Sequence, residues 1–579
     1  MDNKAIAGVL YETADLLEID GQDSFRIRSY RNAAQAIEAL PQQIADLIAE
    51  PKKVLEIPGI GKGMLANLNE MFKEGRLQLH ADLLKKYQPS MLDLLKIQGL
   101  GPKTISLIWS AYQVSDLEGV EKLAREGKIQ ILPRMGEKQE QKLLKAIQDY
   151  RRIAGRYLLD VAENEAQKIA DHLRNFPGVE KVTPAGSLRR GRETVGDLDV
   201  LVTGNACIHD VEREQCIDHI IKLPGLMEII VRGENKVSFR LRGGMKVDVR
   251  FLSPDSFGAA LQYFTGSKAH NIRTREIAVR KGPKLSEYGL FDAKSGELIV
   301  ASTEEEVYER LGLPWIAPTL REDRGEIEAA LRGELPTLVQ EKDIKGDLHT
   351  HTNLTDGLAP LEQMIAAARE RGYAYYAVTD HAPNLYMQRM TDAKMLAQRK
   401  RVRQLEADGK MVLLHGSELN IDANGDVDWG PEFLGGFDVC VASVHGEFTQ
   451  SKDEMTRRIV RACENPYVNI IGHPTARMIG RRAPIEFDLD EVFRAAARTG
   501  TALEINSYPD RLDLRDEHVL WAKRHGVKFA IDTDSHATVH LPFLRYGIGT
   551  AQRGWLSKDD VINTWPLAKL RTFLRKGRS

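Results

Sequence analysis

The segment AGSLRRGRETVGDLDVLVT (residues 185–203) decides the fold of the first half of the chain. Its end alternates in polarity as a β-strand does, and Asp197 and Asp199 stand two positions apart, so both carboxylates project from one face. A third carboxylate, Asp248, lies in the alternating segment MKVDVRF, which we predict to be an adjacent strand. Neighbouring carboxylates repel each other unless cations lie between them, and three of them suit two Mg²⁺ ions. The alternative is an edge strand with exposed acids.

The residues around this strand favour the metal site over the edge strand. Gly186, Ser187 and Arg190 offer a backbone amide, a hydroxyl and a guanidinium, which together can bind the oxygens of a triphosphate. Tyr263 and Phe264 precede Thr-Gly-Ser and could pack on a deoxyribose and reject a 2′-hydroxyl, or they could be ordinary core aromatics. We therefore expect a nucleotide to bind beside a pair of metal ions.

Two short motifs in the helical first part of the chain predict contacts with DNA backbone. IPGIGKGMLANL (57–68) and IQGLGPKTISLI (97–108) each place paired glycines before a helix, so the backbone can approach a phosphate closely and offer it free N–H groups. They look like helix-hairpin-helix motifs, although a tight helix–helix turn is the alternative. The expected DNA-binding residues are Gly59, Gly61, Lys62, Gly99, Gly101 and Lys103. A third segment, LPRMGEK (132–138), lacks the first glycine and could be only a turn.

Taken together, these segments resemble the palm and thumb of DNA polymerase beta and its family X relatives. The resemblance rests on GSLRRGRETVGDLDVLV, KVDVRFLSPDSFGAALQYFTGSKAHNIRTREIAVRKG and LSEY, and with the hairpins it extends from residue 1 to about 318. It implies that Asp197, Asp199 and Asp248 are catalytic acids that bind Mg²⁺ or Mn²⁺. It also implies that the incoming nucleotide and nascent base pair are contacted by Ser187, Arg190, Gly196, Tyr263, Phe264, Gly266, Asn271 and Arg275.

One position departs from this family. Its lyase members carry a Schiff-base lysine in the helix after the first hairpin, and the matching residue here is Asn67. An amide cannot form an imine, and nearby Lys62 sits in the hairpin itself. We therefore expect 5′-deoxyribose-phosphate lyase activity to be weak or absent.

The second half of the chain places potential metal ligands at the ends of successive apolar segments. Short strands such as YAYYAVTD, DVCVASVH and VKFAIDTDSH alternate with helical stretches, which predicts parallel βα units with polar residues at one mouth of a barrel. Imidazoles and carboxylates in this arrangement can share divalent metal ions, whereas any one of them alone would be an ordinary polar residue. The nine candidates are His349, His351, Asp356, His381, Glu418, His445, His473, Asp534 and His536.

This set resembles the polymerase and histidinol phosphatase (PHP) domain, a distorted (β/α)₇ barrel, over residues 346 to about 570. The resemblance implies up to three Mn²⁺ or Zn²⁺ ions and a 3′–5′ exonuclease, with AP endonuclease or 3′-phosphatase action as further possibilities. Basic residues on the segment 399–403 and the loop 477–482 could guide a strand, although the first group could equally be a solvated helix face.

The whole chain is therefore expected to be a multidomain protein. The predicted parts are a helical region at 1–150, which corresponds to the 8-kDa-like and fingers parts of the family, an α/β nucleotidyltransferase palm at 151–250, a thumb at 251–318, a linker at 319–345, and the PHP domain at 346–579. The expected partners are gapped or primed DNA and dNTPs, with no membrane, and the protein is expected to act as a monomer.

Composition agrees with a DNA enzyme more than with a DNA-coating protein. The formal net charge is −2, yet residues 232–284 contain twelve Lys or Arg against four Asp or Glu. The four cysteines form no CxxC pair, and no run of 18 apolar residues occurs, so we expect a cytoplasmic protein of the nucleoid. Two other functions stay open: a polymerase whose PHP part is only a metal-bound scaffold, and a phosphatase for small metabolites that carries DNA-binding modules as tethers.

Overall fold

The computed structural model describes residues 1–40, 42–97, 99–153, 155–406, 409 and 411–576. None of the helices within these ranges is both long enough and apolar enough to cross a membrane.

The first 153 residues are helical, as the three- and four-residue spacing of apolar side chains predicts. Several helices begin at an acid whose side chain accepts hydrogen bonds from free backbone N–H groups, for example Asp2, Asp23 and Asp116. Leucines and isoleucines from most of these helices share one core. The helices are α1 (Asn3–Ile19), α2 (Ser24–Glu38), α3 (Ile44–Leu47), α4 (Pro51–Leu55), α5 (Lys62–Glu74), α6 (Gln78–Lys86), α7 (Ser90–Leu94), α8 (Pro102–Tyr112), α9 (Leu117–Arg125) and α10 (Glu137–Ile153).

A mixed sheet with helices follows. Its strand order is β2-β4-β7-β6-β5; β4 and β7 run parallel, the other neighbours are antiparallel, and β1 pairs separately with β3. The elements are β1 (Tyr157–Leu158), α11 (Leu159–Arg174), β2 (Lys181–Pro184), α12 (Gly186–Arg189), β3 (Thr194–Val195), β4 (Asp197–Thr203), α13 (Asp210–Ile220), β5 (Leu226–Arg232), β6 (Lys236–Leu241) and β7 (Lys246–Leu252).

The next region combines helices with a small antiparallel sheet of order β10-β9-β8. Its elements are α14 (Phe257–Thr265), α15 (Lys268–Lys281), β8 (Pro283–Ser286), β9 (Gly289–Asp292), β10 (Leu298–Val300), α16 (Glu304–Arg310) and α17 (Glu326–Arg332). The last of these helices lies inside the stretch 319–345, where a linker was expected. Arg321 and Glu326 in this stretch are fully buried, so the connection between the two halves is folded and packed.

The C-terminal region is a parallel barrel, as predicted from its alternating strands and helices. Its strands pair in chain order from β11 to β17. The residues after β11 return to the end of β17, where the His351 N–H donates to the Ser535 carbonyl at 2.8 Å and nearly closes the ring. The elements are β11 (Gly346–Asp347), α18 (Leu361–Glu370), β12 (Tyr375–Val378), α19 (Asp392–Glu406), β13 (Val412–Asn420), α20 (Pro431–Leu434), β14 (Val439–Ser443), α21 (Lys452–Glu464), β15 (Ile470–Ile471), α22 (Leu489–Thr499), β16 (Ala502–Asn506), α23 (Asp516–Arg524), β17 (Phe529–Asp532), α24 (Leu544–Arg553) and α25 (Leu567–Leu574).

Burial explains why these strands read as apolar runs. Every residue of β12, β14, β16 and β17 is buried, because helices cover the outside of the barrel and side chains fill its interior. Polar side chains can then leave the core only where each strand ends. The expected fold class, helical hairpin region, α/β palm with thumb and C-terminal barrel, is confirmed.

Candidate functional site

The three predicted acids of the palm meet on two neighbouring strands. Asp199 of β4 is the register partner of Asp248 of β7, and Asp197 is paired with Lys246. Gly186 lies directly against this pair with φ 59°, and a Cβ there would come within 2.7 Å of an Asp199 carboxylate oxygen. The turn that begins α12 can therefore approach the acids only because residue 186 is glycine.

The charges of this cluster are arranged to receive cations. Burial raises the pKa of Asp199 to about 6, and repulsion from Asp197 and Asp248 adds to the shift. The Lys236 ammonium donates to one oxygen of Asp248 at 2.9 Å, and the Lys246 ammonium lies 3.4 Å from the other oxygen, Oδ1. Crowded acids that repel one another fit divalent metal ions, which prefer carboxylate ligands.

The predicted triphosphate residues lie in α12, directly after it and directly before β4. Ser187 lies in α12, Arg190 follows that helix, and Gly196 lies beside Arg156. The guanidinium of Arg190 donates to Glu322 at 3.0 Å and to the Thr265 carbonyl at 2.6 Å. The protein itself therefore fixes the direction of this side chain.

The residues predicted to contact the sugar and the base pair lie in α14, in α15 and between these two helices. The rings of Tyr263 and Phe264 meet edge to face at 5.1 Å, and Gly266 lies against the Arg190 guanidinium. The Asn271 amide donates to the Tyr263 carbonyl at 2.7 Å, so it also holds the end of α14 in place. Arg275, one turn later, lines an open groove on α15. Contacts of these residues with a base pair remain a prediction.

Both predicted hairpins lead into helices with free N–H groups. Gly59 and Gly99 take left-handed conformations, with φ of 88° and 91°, and α5 and α8 begin without a side-chain cap. The glycines Gly61 and Gly101 precede these two helices, and the side chains of Lys62 and Lys103 are exposed there. The third segment, LPRMGEK (132–138), shares the positive φ before a helix, since Arg134 has φ 64° shortly before α10. Asn67 donates to the Tyr30 hydroxyl at 2.9 Å, which gives this amide a structural contact.

All nine predicted ligands of the barrel lie at one mouth. Glu418 stands at the centre, with its oxygens 2.9 Å from His381, 2.9 Å from His473 and 3.1 Å from His445. On the other side of the mouth, donor atoms of His351, Asp356, His381 and His536 lie within 4.8 Å of one another. His349, His351 and Asp534 form a third overlapping group.

The electrostatics of this mouth fit a multinuclear metal centre. Burial alone would raise the pKa of Glu418, but the imidazoles of His445, His349 and His381 lower it well below its ordinary value. Among the described residues, the Nδ1 atoms of His351 and His473 are buried without hydrogen-bond partners, whereas His381 Nδ1 faces a Glu418 oxygen at 2.9 Å. Imidazole nitrogens and carboxylates that face one another in a buried cluster are typical ligands of Zn²⁺ and Mn²⁺.

The sequence interpretation missed the residues that orient these ligands. Glu504 faces His349 Nδ1 at 2.7 Å, and Asn420 Oδ1 faces His445 Nδ1 at 2.7 Å. Such contacts fix which imidazole nitrogen is left for a metal. A signal was present: Glu504 in TALEINS is a charged residue within an apolar strand, as Glu418 is in its own strand.

A cleft of about 230 Å³ adjoins the metal-ligand cluster. One wall carries Asp534, His536 and Arg511, and the other carries Tyr11 and Glu38 from α1 and α2. The N-terminal helices therefore face the mouth of the C-terminal barrel.

Three of the basic residues near the cluster form ion pairs with acids of the protein. Arg401 pairs with Glu362 at 2.9 Å, and Arg403 with Asp438, as expected for an ordinary helix surface. Arg477 contacts Glu193 of the palm at 2.7 Å.

Comparison with known families agrees with this architecture. A helix-hairpin-helix domain model matches residues 1–77, a SAM-like helix-hairpin-helix tandem matches 91–149, the DNA polymerase beta thumb matches 260–322, and the PHP domain matches 347–508.

Similar proteins divide along the same lines. A probable phosphatase of Thermoanaerobacter sp. (strain X514) is 28% identical over 246 residues, which is 40% of this chain and 94% of the phosphatase. DNA polymerase lambda of Rattus norvegicus is 26% identical over 323 residues, about half of each chain. The DNA polymerase/3′-5′ exonuclease PolX of Bacillus subtilis (strain 168) is 35% identical over the full length of both chains. The chain therefore belongs to the family X DNA polymerases of the PolX type, which carry a PHP domain.

Proposed function

We propose that this protein fills short gaps in DNA during repair and removes nucleotides from DNA 3′ ends, with one active site in the palm and another in the barrel. The observation that carries the proposal is the presence of two separate clusters of potential metal ligands in a chain that matches PolX over its whole length.

In the palm, Asp197, Asp199 and Asp248 would hold Mg²⁺ or Mn²⁺. Such ions, when bound, favour deprotonation of a primer 3′-hydroxyl and neutralise the triphosphate. Ser187, Arg190 and Gly196 are proposed to orient the triphosphate, and Tyr263, Phe264 and Gly266 the sugar. Asn271 and Arg275 are proposed to contact the nascent base pair. Lys236 and Lys246 hold Asp248 in place beside its neighbouring strand.

The hairpins are proposed to hold DNA by its backbone. Exposed Lys62 and Lys103 and the free N–H groups at the starts of α5 and α8 offer donors to phosphates without reading bases. Gapped or primed DNA is the proposed substrate. The protein is therefore proposed to act at the nucleoid, and to act as a monomer.

In the barrel, the nine clustered side chains would hold up to three Mn²⁺ or Zn²⁺ ions. The chemistry these ions supply is activation of water and neutralisation of phosphate charge. The adjoining cleft of about 230 Å³ suits a single terminal nucleotide better than a duplex, which favours removal of nucleotides from a 3′ end. Similarity to a probable phosphatase over this half favours 3′-phosphatase action as a second activity, and AP endonuclease action follows from the same chemistry.

A gapped-DNA assay tests the proposal. The purified protein is incubated with a 3′-labelled or 5′-labelled one-nucleotide-gap duplex and Mg²⁺ or Mn²⁺, with and without dNTPs, beside the Asp248→Ala and His349→Ala variants. We expect Asp248→Ala to lose extension and keep shortening, and His349→Ala to do the reverse. If His349→Ala still shortens DNA, the barrel is only a scaffold. If the parent hydrolyses histidinol phosphate and extends no primed DNA, the protein is a metabolite phosphatase.

A further inference from the structure

Arg553, the last residue of α24 in the barrel, contacts the palm at the turn that follows α12. It is 3% exposed. Its guanidinium donates to the backbone carbonyl of Arg190 at 2.8 Å and to the Glu322 carboxylate at 2.9 Å. A residue of the barrel therefore caps the end of the short helix that carries the proposed triphosphate contacts.

The carboxylate of Glu322 links the two arginines. It accepts from Arg190 Nε at 3.0 Å as well as from Arg553, so one acid fixes both guanidinium groups. Arg553 thus contacts Arg190 twice, once through its backbone and once through the partner of its side chain. Charge-assisted hydrogen bonds of this kind are strong and directional.

The barrel holds Arg553 firmly from the other side. Asp516, at the start of α23, accepts from Arg553 Nε at 2.9 Å and also from Arg324 at 3.0 Å. Burial alone would raise the pKa of Asp516, but the guanidinium groups of Arg553 and Arg324 outweigh it and hold that pKa well below its ordinary value. Arg553 is therefore set before any nucleotide binds.

A second ion pair holds the other end of the same turn. Glu193 contacts Arg477 at 2.7 Å and Arg515 at 3.6 Å. Arg477 lies on the loop that follows His473, one of the nine clustered side chains. The turn 190–193 is consequently anchored to the barrel at both of its ends.

We propose that Arg553 is a positioning residue for nucleotide binding in the palm, and that the barrel holds the triphosphate turn in its binding shape. This inference rests on the proposed role of Arg190 as a triphosphate contact. It gives the C-terminal barrel a part in DNA synthesis that is separate from hydrolysis of DNA ends.

The test compares Arg553→Met with a matched control in single-nucleotide gap filling. Methionine keeps much of the volume and removes the hydrogen bonds and charge. We expect KM for dNTP to rise about tenfold, the effect of losing about one charge-assisted hydrogen bond, with kcat at saturating dNTP within about twofold of the parent. Arg553→Lys keeps the charge but cannot bridge all three partners, so its KM should fall between the two.

The control is Arg545→Met on the same helix. Arg545 forms another contact between the barrel and the palm, with Glu163 at 2.9 Å, but it lies at the other end of α24 from the triphosphate turn. Its KM for dNTP should stay within about twofold of the parent. An equal rise of KM in both variants would show that only loosening of the interface matters and would overturn the proposal, as would an unchanged KM in Arg553→Met.

Hydrogen exchange separates this inference from the proposed polymerase activity. In nucleotide-free protein, peptides that cover 186–193 should exchange faster in Arg553→Met than in the parent or in Arg545→Met. If the parent protein extends no primer, the proposed function fails, while exchange still decides whether Arg553 anchors the turn. Unchanged exchange in this segment would overturn the anchoring itself.

Discussion

At the scale of single residues, the charged carboxylate of Asp199 destabilises the fold that carries it. The raised pKa of Asp199, to about 6, means that its charged form is disfavoured in the folded protein by burial and by its two acidic neighbours. Such strain is expected where cations are to bind, because the bound ions relieve it.

This strain predicts the effect of Asp199→Asn on metal-free protein. At pH 7.5 in EDTA the variant should unfold about 2–4 °C higher than the parent, because the substitution removes a buried, repelled charge. The folded pKa lies above the ordinary value of 3.8, so the parent regains stability as the pH falls from about 6 towards 4. The difference in unfolding temperature between the variant and the parent, measured by differential scanning calorimetry, should therefore be smaller at pH 4.5 than at pH 7.5. If this difference in unfolding temperature increases on acidification, the charged form of Asp199 is not disfavoured in the folded protein.

Glu504 illustrates what residue types alone do not reveal about the barrel site. It contacts no proposed substrate, yet it faces His349 Nδ1 at 2.7 Å and so determines which nitrogen of that ring points into the cluster. The clustering of the nine candidate ligands could be predicted, because the sequence places them in or after a series of short apolar strands. The charge of Glu504 within an apolar strand is visible in the sequence, but its contact with His349 is set by packing between β16 and the residues after β11.

Glu504→Gln should weaken metal binding without emptying the site. We expect the Mn²⁺ concentration for half-maximal 3′-end removal to rise about 10–100-fold, with activity recovered at high Mn²⁺. Glu491→Gln, an exposed acid at the start of α22, is the matched control and should titrate as the parent does. Parent-like Mn²⁺ dependence in Glu504→Gln would contradict an orienting role.

At the scale of elements, the strands and helices of the barrel follow from the sequence because each strand is a short apolar run between amphipathic helices. The alternating pattern also predicted that Asp248 lies on a strand adjacent to that of Asp199, whereas the parallel register that pairs the two residues comes from the fold. The packing of the stretch 319–345 does not, since Arg321 is charged yet fully buried beside Glu304, at 2.6 Å. In the sequence, a charged residue that forms a buried ion pair cannot be told from a charged residue of a solvated linker.

The first hairpin predicts a distinct salt dependence of DNA binding. Lys62→Ala should weaken affinity for gapped DNA equally across sequences and reduce the slope of log K against log salt by about 1, because one phosphate contact is lost. Lys73→Ala, at the other end of α5, removes an exposed lysine away from the hairpin and should leave the slope unchanged. Fluorescence anisotropy at several salt concentrations measures both. If log K falls with log salt at the same slope in Lys62→Ala and in the parent, Lys62 of this hairpin does not contact a DNA phosphate.

At the scale of the whole molecule, the two proposed active sites are joined through packed side chains. The N-terminal helices wall the cleft beside the barrel cluster, and buried arginines of the barrel hold a turn of the palm. The chain order gives the parts of this assembly, but it does not show how they face one another. Those contacts join residues hundreds of positions apart, such as Arg190 and Arg553.

The central claim is that one chain holds divalent ions at two separate places, at the palm acids and at the barrel mouth. Anomalous diffraction from crystals grown with Mn²⁺, gapped DNA and a non-hydrolysable dNTP analogue tests it directly. We expect peaks between Asp199 and Asp248 beside the triphosphate, and further peaks within contact of Glu418 and His351. A bound triphosphate with no Mn²⁺ peak at Asp199 and Asp248 would contradict it.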